Sequence, residues 1–494
     1  MTTNDEAPTR KYHDKEAFVT GHSGTTPLEI LLVCAVIPVG LHLYLKLLPF
    51  VAKKFHRPFV IDLLEFMTLI LPALLVQTSL LPYISGHVRL LLGMLLLSSI
   101  VPDQNRKTQT GGNTDAKETK RPAFLTIHRS SVYILTTVAI LAVDFPIFPR
   151  RYCKTEISGY GWMDLGAASF VIIAGWTSSL ITSFPAKNSR GKSSSLSYKA
   201  IKKFTPLFLL GIIRLFTNKG LEYQEHVSEY GVHWNFFFTL CFIEVFLLGW
   251  RPVKALFRLC RKSIPFDGIM GVMMIVLYQS FLSMYGGQDF IENGDRRCTT
   301  KYGESWTMCD VFFANREGIF GLFGYLSLRL LSEEIGRFCL LPTQQHSVKD
   351  PSNIRTSAQR DQRILLTTLL LWLLHSTFTI SLQIPTSRRS TNVSFVSWAL
   401  SHNMTVLYLI HYVTASFSPC HDDEPPPTPH VLHAVNRFGL AVFLLSNILT
   451  GLVNLSLDTL HASDGRAMLV LSTYVGLICG SALLLDRFPI SNKK

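Results

Sequence analysis

Thirteen apolar stretches, most of them close to twenty residues long and parted by short polar segments, leave this chain few ways to fold. They run approximately over 28–48, 59–81, 83–101, 126–145, 162–183, 200–216, 234–250, 267–284, 316–332, 363–383, 393–413, 432–454 and 466–485. A bilayer core about 30 Å thick takes about 20 residues of helix, and helix is the state in which such a segment satisfies its own backbone groups. The expected fold class is therefore all-α, a polytopic integral membrane protein with about 13 transmembrane helices. Charged residues make up 16% of the 494. A soluble domain carries roughly 25%, so neither a conventional soluble enzyme nor a disordered chain fits. The net charge of +13 raises nucleic acid as a partner. Lys and Arg lie in short segments between apolar runs, with no continuous basic face, so the charge reads as membrane topology and no nucleic-acid partner is expected.

Placing the N-terminus outside the cytosol puts about 27 Lys and Arg in the cytosolic segments and about 13 in the opposite ones, the asymmetry that orients a membrane protein. The expected organisation is a lumenal segment 1–27, one polytopic transmembrane domain 28–485, and a cytosolic tail 486–494. Inserts at 103–122, 342–362 and 415–430 are polar and lack an apolar period. The first 26 residues are polar and the first apolar run is long enough to stay in the membrane, so a cleaved signal peptide is not expected. Nine Cys are too few and too scattered for a disulfide scaffold. Cys298 and Cys309 flank a polar loop, where a disulfide and two thiols are both open.

Reactive side chains concentrate in the non-cytosolic loops. In AVDFPIFPRRYCKTE (142–156), Asp144 ends an apolar run, Pro146 and Pro149 stop the helix, and Arg150, Arg151, Lys154 and Glu156 follow. A carboxylate at the hydrocarbon edge suits a base, and the cations suit a phosphate or a developing oxyanion; an interfacial ion pair is the plainer alternative. In LEYQEHVSEYGVHWNFFFTL (221–240), Glu222, His226, Glu229 and His233 share one face of a helix. Imidazole beside carboxylate suits proton transfer or binding of a sugar hydroxyl, while Tyr230 and Trp234 are also ordinary interface residues. With no HExxH or comparable spacing, no metal is expected. Arg316 and Glu317 at the mouth of a span read as an ion pair. Arg388, Arg389 and Asn392 bring phosphate contact into competition with snorkelling. Asn447, Thr450 and Asn454 form a polar stripe that reads as helix–helix adhesion. No GxSxG elbow, Walker loop or convincing diphosphate motif is present. These residues describe a many-span protein with a site at one membrane face, and composition supports a lipid or solute transporter as readily as an enzyme.

The order of segments carries the argument further. HDKEAFVTGHSGTTPLEI is followed by ILAVDFPIFPRRYCKTE, MDLGAASFVI, LEYQEHVSEYGVHWNFFFTL, NREGIFGLFGYLS, SRRSTNVSFVSW and FLLSNILTGLVNLSLDTL. This series resembles the glucosaminyl-phosphatidylinositol inositol acyltransferases of GPI-anchor biosynthesis, from about residue 13 to residue 485. The resemblance implies an endoplasmic reticulum enzyme with its N-terminus and reaction face in the lumen. Such an enzyme moves a fatty acyl chain, usually palmitoyl from acyl-CoA, to the inositol 2-hydroxyl of glucosaminyl-phosphatidylinositol. Acyl-CoA is a co-substrate there, and no cofactor is expected.

The resemblance carries Asp144 and Lys154 over as catalytic residues. Gly159, Met163 and Asp164 also fit the pattern, whereas Tyr160-Gly161-Trp162 departs from a more usual Thr-Ser-Leu. In the expected mechanism Asp144 accepts the inositol proton and Lys154 supports it or stabilises the oxyanion. Arg150, Arg151 and Arg388 are the candidates for substrate phosphate. His226, His233 and Asn235 are the candidates for the sugar–inositol headgroup. Cys153 is a rival nucleophile without an adjacent histidine to activate it. The expected partners are glucosaminyl-phosphatidylinositol, palmitoyl-CoA and membrane lipids. A non-catalytic scaffold is a further class, distinguished by tolerance of changes at Asp144 and Lys154.

Overall fold

All thirteen apolar runs lie on helices in the computed structural model, which describes residues 17–18, 20–81, 83–102, 122–183, 196–220, 227–260, 265–298, 307–341, 353–417 and 428–488. In order these are α1 (Pro27–Phe55), α2 (Pro58–Leu75), α3 (Tyr83–Ile100), α4 (Ala123–Ala142), α5 (Leu165–Ser183) and α6 (Leu196–Gly220). There follow α7 (Val227–Tyr230), α8 (Phe236–Cys260), α9 (Phe266–Met284), α10 (Gly287–Asn293), α11 (Met308–Ala314) and α12 (Arg316–Leu340). The last are α13 (Asn353–Ser376), α14 (Val393–Ser416), α15 (His430–Arg437), α16 (Gly439–Ser456) and α17 (Asp464–Arg487). Among the described residues no strand forms; one isolated parallel bridge joins Gly24 and Tyr160.

Ten helical segments among the described residues are long and apolar enough to cross a membrane. The expectation of thirteen differs at three places. Two apolar helices are shorter, Ile84–Ile100 and Phe204–Phe216. The third, α12, is 25 residues long but carries Arg316, Glu317, Arg329, Glu333, Glu334 and Arg337. The run at 432–454 divides, since α15 ends at Arg437 and α16 begins at Gly439. Membrane solvation explains the distribution of side chains. Leu96, Ile213, Leu277 and Leu366 stand outward, while Ser130, Thr137, His128 and Ser179 are buried. Buried hydroxyls on the helices return to their own backbone, as Ser130 Oγ does to Thr126 O at 2.9 Å. The chain is thus a multi-pass membrane protein with apolar residues facing lipid and polar ones inside.

The chain forms two compact units. The first holds 1–23, 154–159 and 167–401. In it α9 lies along α12, α6 along α8, and α8 against α12. The charges of α12 are accommodated because each finds a partner. Asp267 accepts from Trp250 Nε1 at 2.8 Å and pairs with Lys254 and Arg337, while Arg329 Nη1 meets Glu333 Oε2 at 2.8 Å. Unpaired, each such charge in the membrane would cost several kcal/mol on the order of 3.

The second unit holds 24–153, 160–166 and 402–494. Here α1 packs on α3, α4 on α15 and α16, and α17 on α15 and α16. Pro27 opens α1 at a position where its missing N–H costs nothing, and Thr26 Oγ1 accepts from Glu29 N at 3.3 Å. Glu65 caps the start of α15, accepting from Val431 N at 2.9 Å and Leu432 N at 2.7 Å.

Candidate active site

In the first unit a single carboxylate draws together residues from three distant loops. Glu229, on the one-turn α7, accepts from Lys154 Nζ through Oε2 at 2.5 Å and from Arg388 Nη1 through Oε1 at 3.2 Å. Local backbone fixes α7. Gly231 has φ +104°, a conformation open to glycine, and Val232 N then donates to Ala314 O at 3.0 Å. His233 N donates to Asn315 Oδ1 at 2.7 Å, and its Nδ1 lies 3.3 Å from Asn315 Nδ2. Beside Glu229, the Tyr230 phenol is hydrogen bonded to Tyr325, and burial pushes it well above the usual tyrosine range.

Lys154 is held by its own segment. Glu156 N donates to His22 O at 3.0 Å, Gly159 N to Thr386 O at 2.8 Å, and Ser387 Oγ to Ile157 O at 2.7 Å. The ion pairs continue from Arg389, whose Nη2 lies 3.1 Å from Glu317 Oε1. Arg296 Nη2 meets the same oxygen at 2.8 Å, and Arg316 Nη2 is farther at 3.9 Å. The expected Arg316–Glu317 pair is therefore the weakest of three. Arg316 instead donates to the carbonyls of Ile291, Asp295 and Phe313. Cys298 and Cys309 form a disulfide with a Cα–Cα distance of 5.8 Å, which closes the loop carrying Arg296 onto α11.

In the second unit Asp144 is half-buried and its Oδ2 accepts from Asn454 Nδ2 at 2.8 Å. The polar stripe on α16 thus divides in purpose. Asn447 and Thr450 bond back to their own helix, and Asn454 reaches the carboxylate. Pro146 and Pro149 supply no N–H, so the turn after α4 leaves carbonyls wanting donors. Arg150 meets them: Nη1 donates to Val143 O at 2.9 Å, Nη2 to Phe145 O at 2.9 Å and Phe148 O at 2.8 Å, and Nε to Phe148 O at 3.0 Å. Burial lowers the Arg150 guanidinium from its ordinary value, an effect opposed by Cys153 and Asp144 nearby. Arg151 Nε donates to Glu29 Oε1 at 2.9 Å, and Tyr152 Oη donates to the same oxygen at 3.0 Å. Burial, reinforced by Glu29, raises the Tyr152 phenol. Tyr152 Oη also lies 3.0 Å from His87 Nε2, within the same buried polar chain.

Of the residues singled out from sequence, Lys154 and Arg388 meet at Glu229, and His233 joins Asn315 beside that group. Asp144, Arg150 and Arg151 belong to the second unit. Asn235 is buried as a helix cap, with Oδ1 accepting from Phe237 N at 3.1 Å and Nδ2 donating to Gly211 O at 2.9 Å. His226 lies outside the described residues. Cys153 is a buried thiol, 1% exposed. The departure at 160–162 has a local role: Tyr160 pairs with Gly24, and Trp162 Nε1 donates to Gln77 Oε1 at 2.9 Å. Sequence reasoning passed over Glu229 as a hub, Glu29 as the partner of Arg151, Asn454 as the partner of Asp144, and Arg296 and Arg389 as the nearer partners of Glu317. A charged or amide side chain at or near the end of an apolar run was their only sequence signal. Among the described residues no group of three or more His, Cys, Asp and Glu is arranged to hold a metal.

The family model described as GWT1 matches residues 11–485. GPI-anchored wall transfer protein 1 of Aspergillus oryzae is 33% identical over 510 residues, covering 96% of this chain and 98% of its own. The protein of the same name from Yarrowia lipolytica is 36% identical over 388 residues, 76% of each chain. The phosphatidylinositol-glycan biosynthesis class W protein of Dictyostelium discoideum is 30% identical over 530 residues, covering 97% of this chain and 98% of its own.

Proposed function

The chain belongs to the GWT1 family, and from that premise we propose that it is the membrane O-acyltransferase that acylates inositol during GPI-anchor biosynthesis. It transfers a palmitoyl-type acyl group from acyl-CoA to the inositol 2-hydroxyl of glucosaminyl-phosphatidylinositol. It does so in the endoplasmic reticulum membrane, with the N-terminus lumenal and the C-terminus cytosolic. What carries the reading is the near end-to-end similarity to proteins named for GPI anchoring and phosphatidylinositol-glycan biosynthesis.

The chemistry required is modest. The inositol hydroxyl must lose its proton as its oxygen attacks the thioester carbonyl, and the oxyanion formed must be stabilised. The C–S bond then breaks and coenzyme A leaves as the thiol. In this reading Asp144 accepts the hydroxyl proton and later returns it to the departing sulfur. Asn454 Nδ2, 2.8 Å from Asp144 Oδ2, turns the carboxylate toward that task. Lys154, steadied by Glu229, supplies positive charge to the oxyanion. A general base contributes about 10²–10⁴-fold and an oxyanion donor about 10²–10³-fold. No acyl-enzyme is needed, and Cys153→Ser should leave turnover intact.

The test uses the purified chain in detergent with labelled palmitoyl-CoA and glucosaminyl-phosphatidylinositol. Inositol-acylated product from wild type, and a loss of at least about 100-fold in Asp144→Asn, is the expected result. Equal product from both would remove Asp144 as the base. No product from folded wild type would overturn the activity and return a transporter to first place.

A further inference from the structure

The second half of one connection in this protein is buried. Residues 386–392, between α13 and α14, are each 8% exposed or less. Loops normally lie at the surface because their backbone polar groups need water. Here the backbone finds partners inside the first unit. Thr386 O accepts from Gly159 N, Asn392 Oδ1 accepts from Ser387 N at 3.3 Å, and Asn392 N donates to Ser387 O at 3.3 Å. Thr391 N donates to Arg388 O at 3.1 Å, and Ser390 O accepts from Tyr278 Oη at 2.6 Å. The strap is pressed onto α12 at Gly324, where a Cβ would come within 2.1 Å of Thr391 O.

Side-chain donors within this well-bonded strap include exceptions. Thr386 Oγ1, Arg389 Nε and Ser390 Oγ are buried and have no hydrogen-bond partner among the described residues. Thr386 is 3% exposed, Arg389 8% and Ser390 0%. Buried donors are nearly always satisfied, and three unsatisfied ones within five residues ask for an acceptor. The surroundings favour an anion. Lys154, Arg296, Arg316, Arg388 and Arg389 share Glu229 and Glu317 in direct ion pairs. Glu292 stands at the strap as well, its Oε1 3.4 Å from Ser387 Oγ.

We propose that the strap Thr386–Ser390 is a phosphoryl-binding element, in which Arg389 Nε, Thr386 Oγ1 and Ser390 Oγ donate to the oxygens of one phosphate ester. A guanidinium with two hydroxyls is a donor set suited to phosphate. Naming the source rests on the function proposed above, since coenzyme A and the inositol phospholipid both carry such a group. Position adds meaning. The strap holds the 154–159 segment through Gly159 N and Ser387 Oγ, so a phosphate bound there is seated in the same hydrogen-bonded frame as the Lys154 ammonium.

The test is ligand binding by the purified full chain, read as the rise in Tm with probe concentration, which needs no turnover. The probes are coenzyme A, phosphatidylinositol, and the phosphate-free controls pantetheine and dioleoylglycerol. The variants are Thr386→Val with Ser390→Ala, and separately Arg389→Lys. Removing buried hydroxyls that lack protein partners should leave the ligand-free Tm equal or higher. Binding of the phosphate probe should weaken about tenfold or more per hydroxyl, while the controls are unaffected. A loss confined to coenzyme A assigns the site to the acyl donor, and a loss confined to phosphatidylinositol assigns it to the acceptor. If both variants bind both phosphate probes within about twofold of wild type, or neither probe stabilises wild type, the strap is not a phosphate site. Should Arg389→Lys fail to fold, the hydroxyl variant decides alone. Strap-dependent binding without acyl transfer would sink the activity and spare this site. Acyl transfer with strap-independent binding would do the reverse.

Discussion

Replacing Glu229 by Gln leaves two cations facing an amide, and the structure sets the size of the loss. Arg388 is 5% exposed at the side chain and lies 3.2 Å from Glu229 Oε1. Breaking a buried pair from one side costs about 3–5 kcal/mol, because the surviving charge loses its carboxylate and gains no water in exchange. Lys154 is 27% exposed, so its pair with Glu229 is worth about 1 kcal/mol or less to stability. The stability change is therefore carried by Arg388, and about 3 kcal/mol is expected. Under the proposed mechanism, the change in turnover is carried by Lys154. Releasing that ammonium returns up to about 2 kcal/mol of side-chain entropy, which must be lost again in each transition state. At 1.36 kcal/mol per factor of ten, this is a fall of about 30-fold in kcat.

The assay pairs acyl transfer at saturating substrates with thermal unfolding of the same preparations. Glu229→Gln should lose kcat with little change in KM for acyl-CoA, and Glu229→Asp should recover part of it. A double-mutant cycle adds a sharper criterion. Arg388→Gln in the Glu229→Gln background removes the buried charge that Glu229 had balanced, so the double variant should be more stable than the Glu229→Gln single. The expected coupling is about 1–3 kcal/mol. Glu229→Gln with kcat within about threefold of wild type would refute the positioning of Lys154. Strictly additive stabilities would refute the shared ion pair.

Three shorter predictions follow from the same geometry. Arg150→Lys keeps the charge but cannot span the carbonyls of Val143, Phe145 and Phe148, so stability should fall by about 2–4 kcal/mol with KM unchanged; a raised KM at normal Tm would instead make Arg150 a substrate contact. Asn454→Leu removes the donor to Asp144 at 2.8 Å, and kcat should fall about tenfold at constant KM, whereas full turnover would show that Asp144 needs no such orientation. The Cys298–Cys309 bridge, closing an 11-residue separation, should contribute about 3 kcal/mol. In the purified protein both thiols should react with maleimide only after reduction; labelling without a reductant would contradict the bridge.

What the sequence disclosed and what it withheld divide along the range of the interactions involved. Hydropathy is summed over neighbours, so every apolar run found its helix, including α12, where charges are interleaved with Gly and Leu. Helix ends were also local. Asn235 before a run of Phe is a cap by residue type, and assigning it to a headgroup put function ahead of that simpler duty. Arg150 was readable too: two prolines in four residues create carbonyls without donors, and the next residue supplies a guanidinium. The pairing of charges was not readable, because Glu229 meets partners 75 residues before it and 159 after it. Local spacing presented Glu229 as a companion of two histidines on one face, and it carries no information about which distant cation a carboxylate will meet. The same limit hid Asn454, which sits on a stripe that reads as helix adhesion until Asp144 is beside it.

That division bears on how the site works. The three loop segments that meet at Glu229 share no span and no local pattern, so their meeting depends on the folding of α7, α12 and the buried strap. Each of these is pinned by backbone contacts that side-chain substitution leaves alone: Val232 to Ala314, Gly159 to Thr386, and Gly324 against Thr391. A site whose charges are placed by backbone keeps its geometry when a charge is removed. Changes at the partly exposed Lys154 should therefore report on chemistry before they report on fold, whereas Glu229→Gln and Arg389→Lys are read with the stability measured beside the activity.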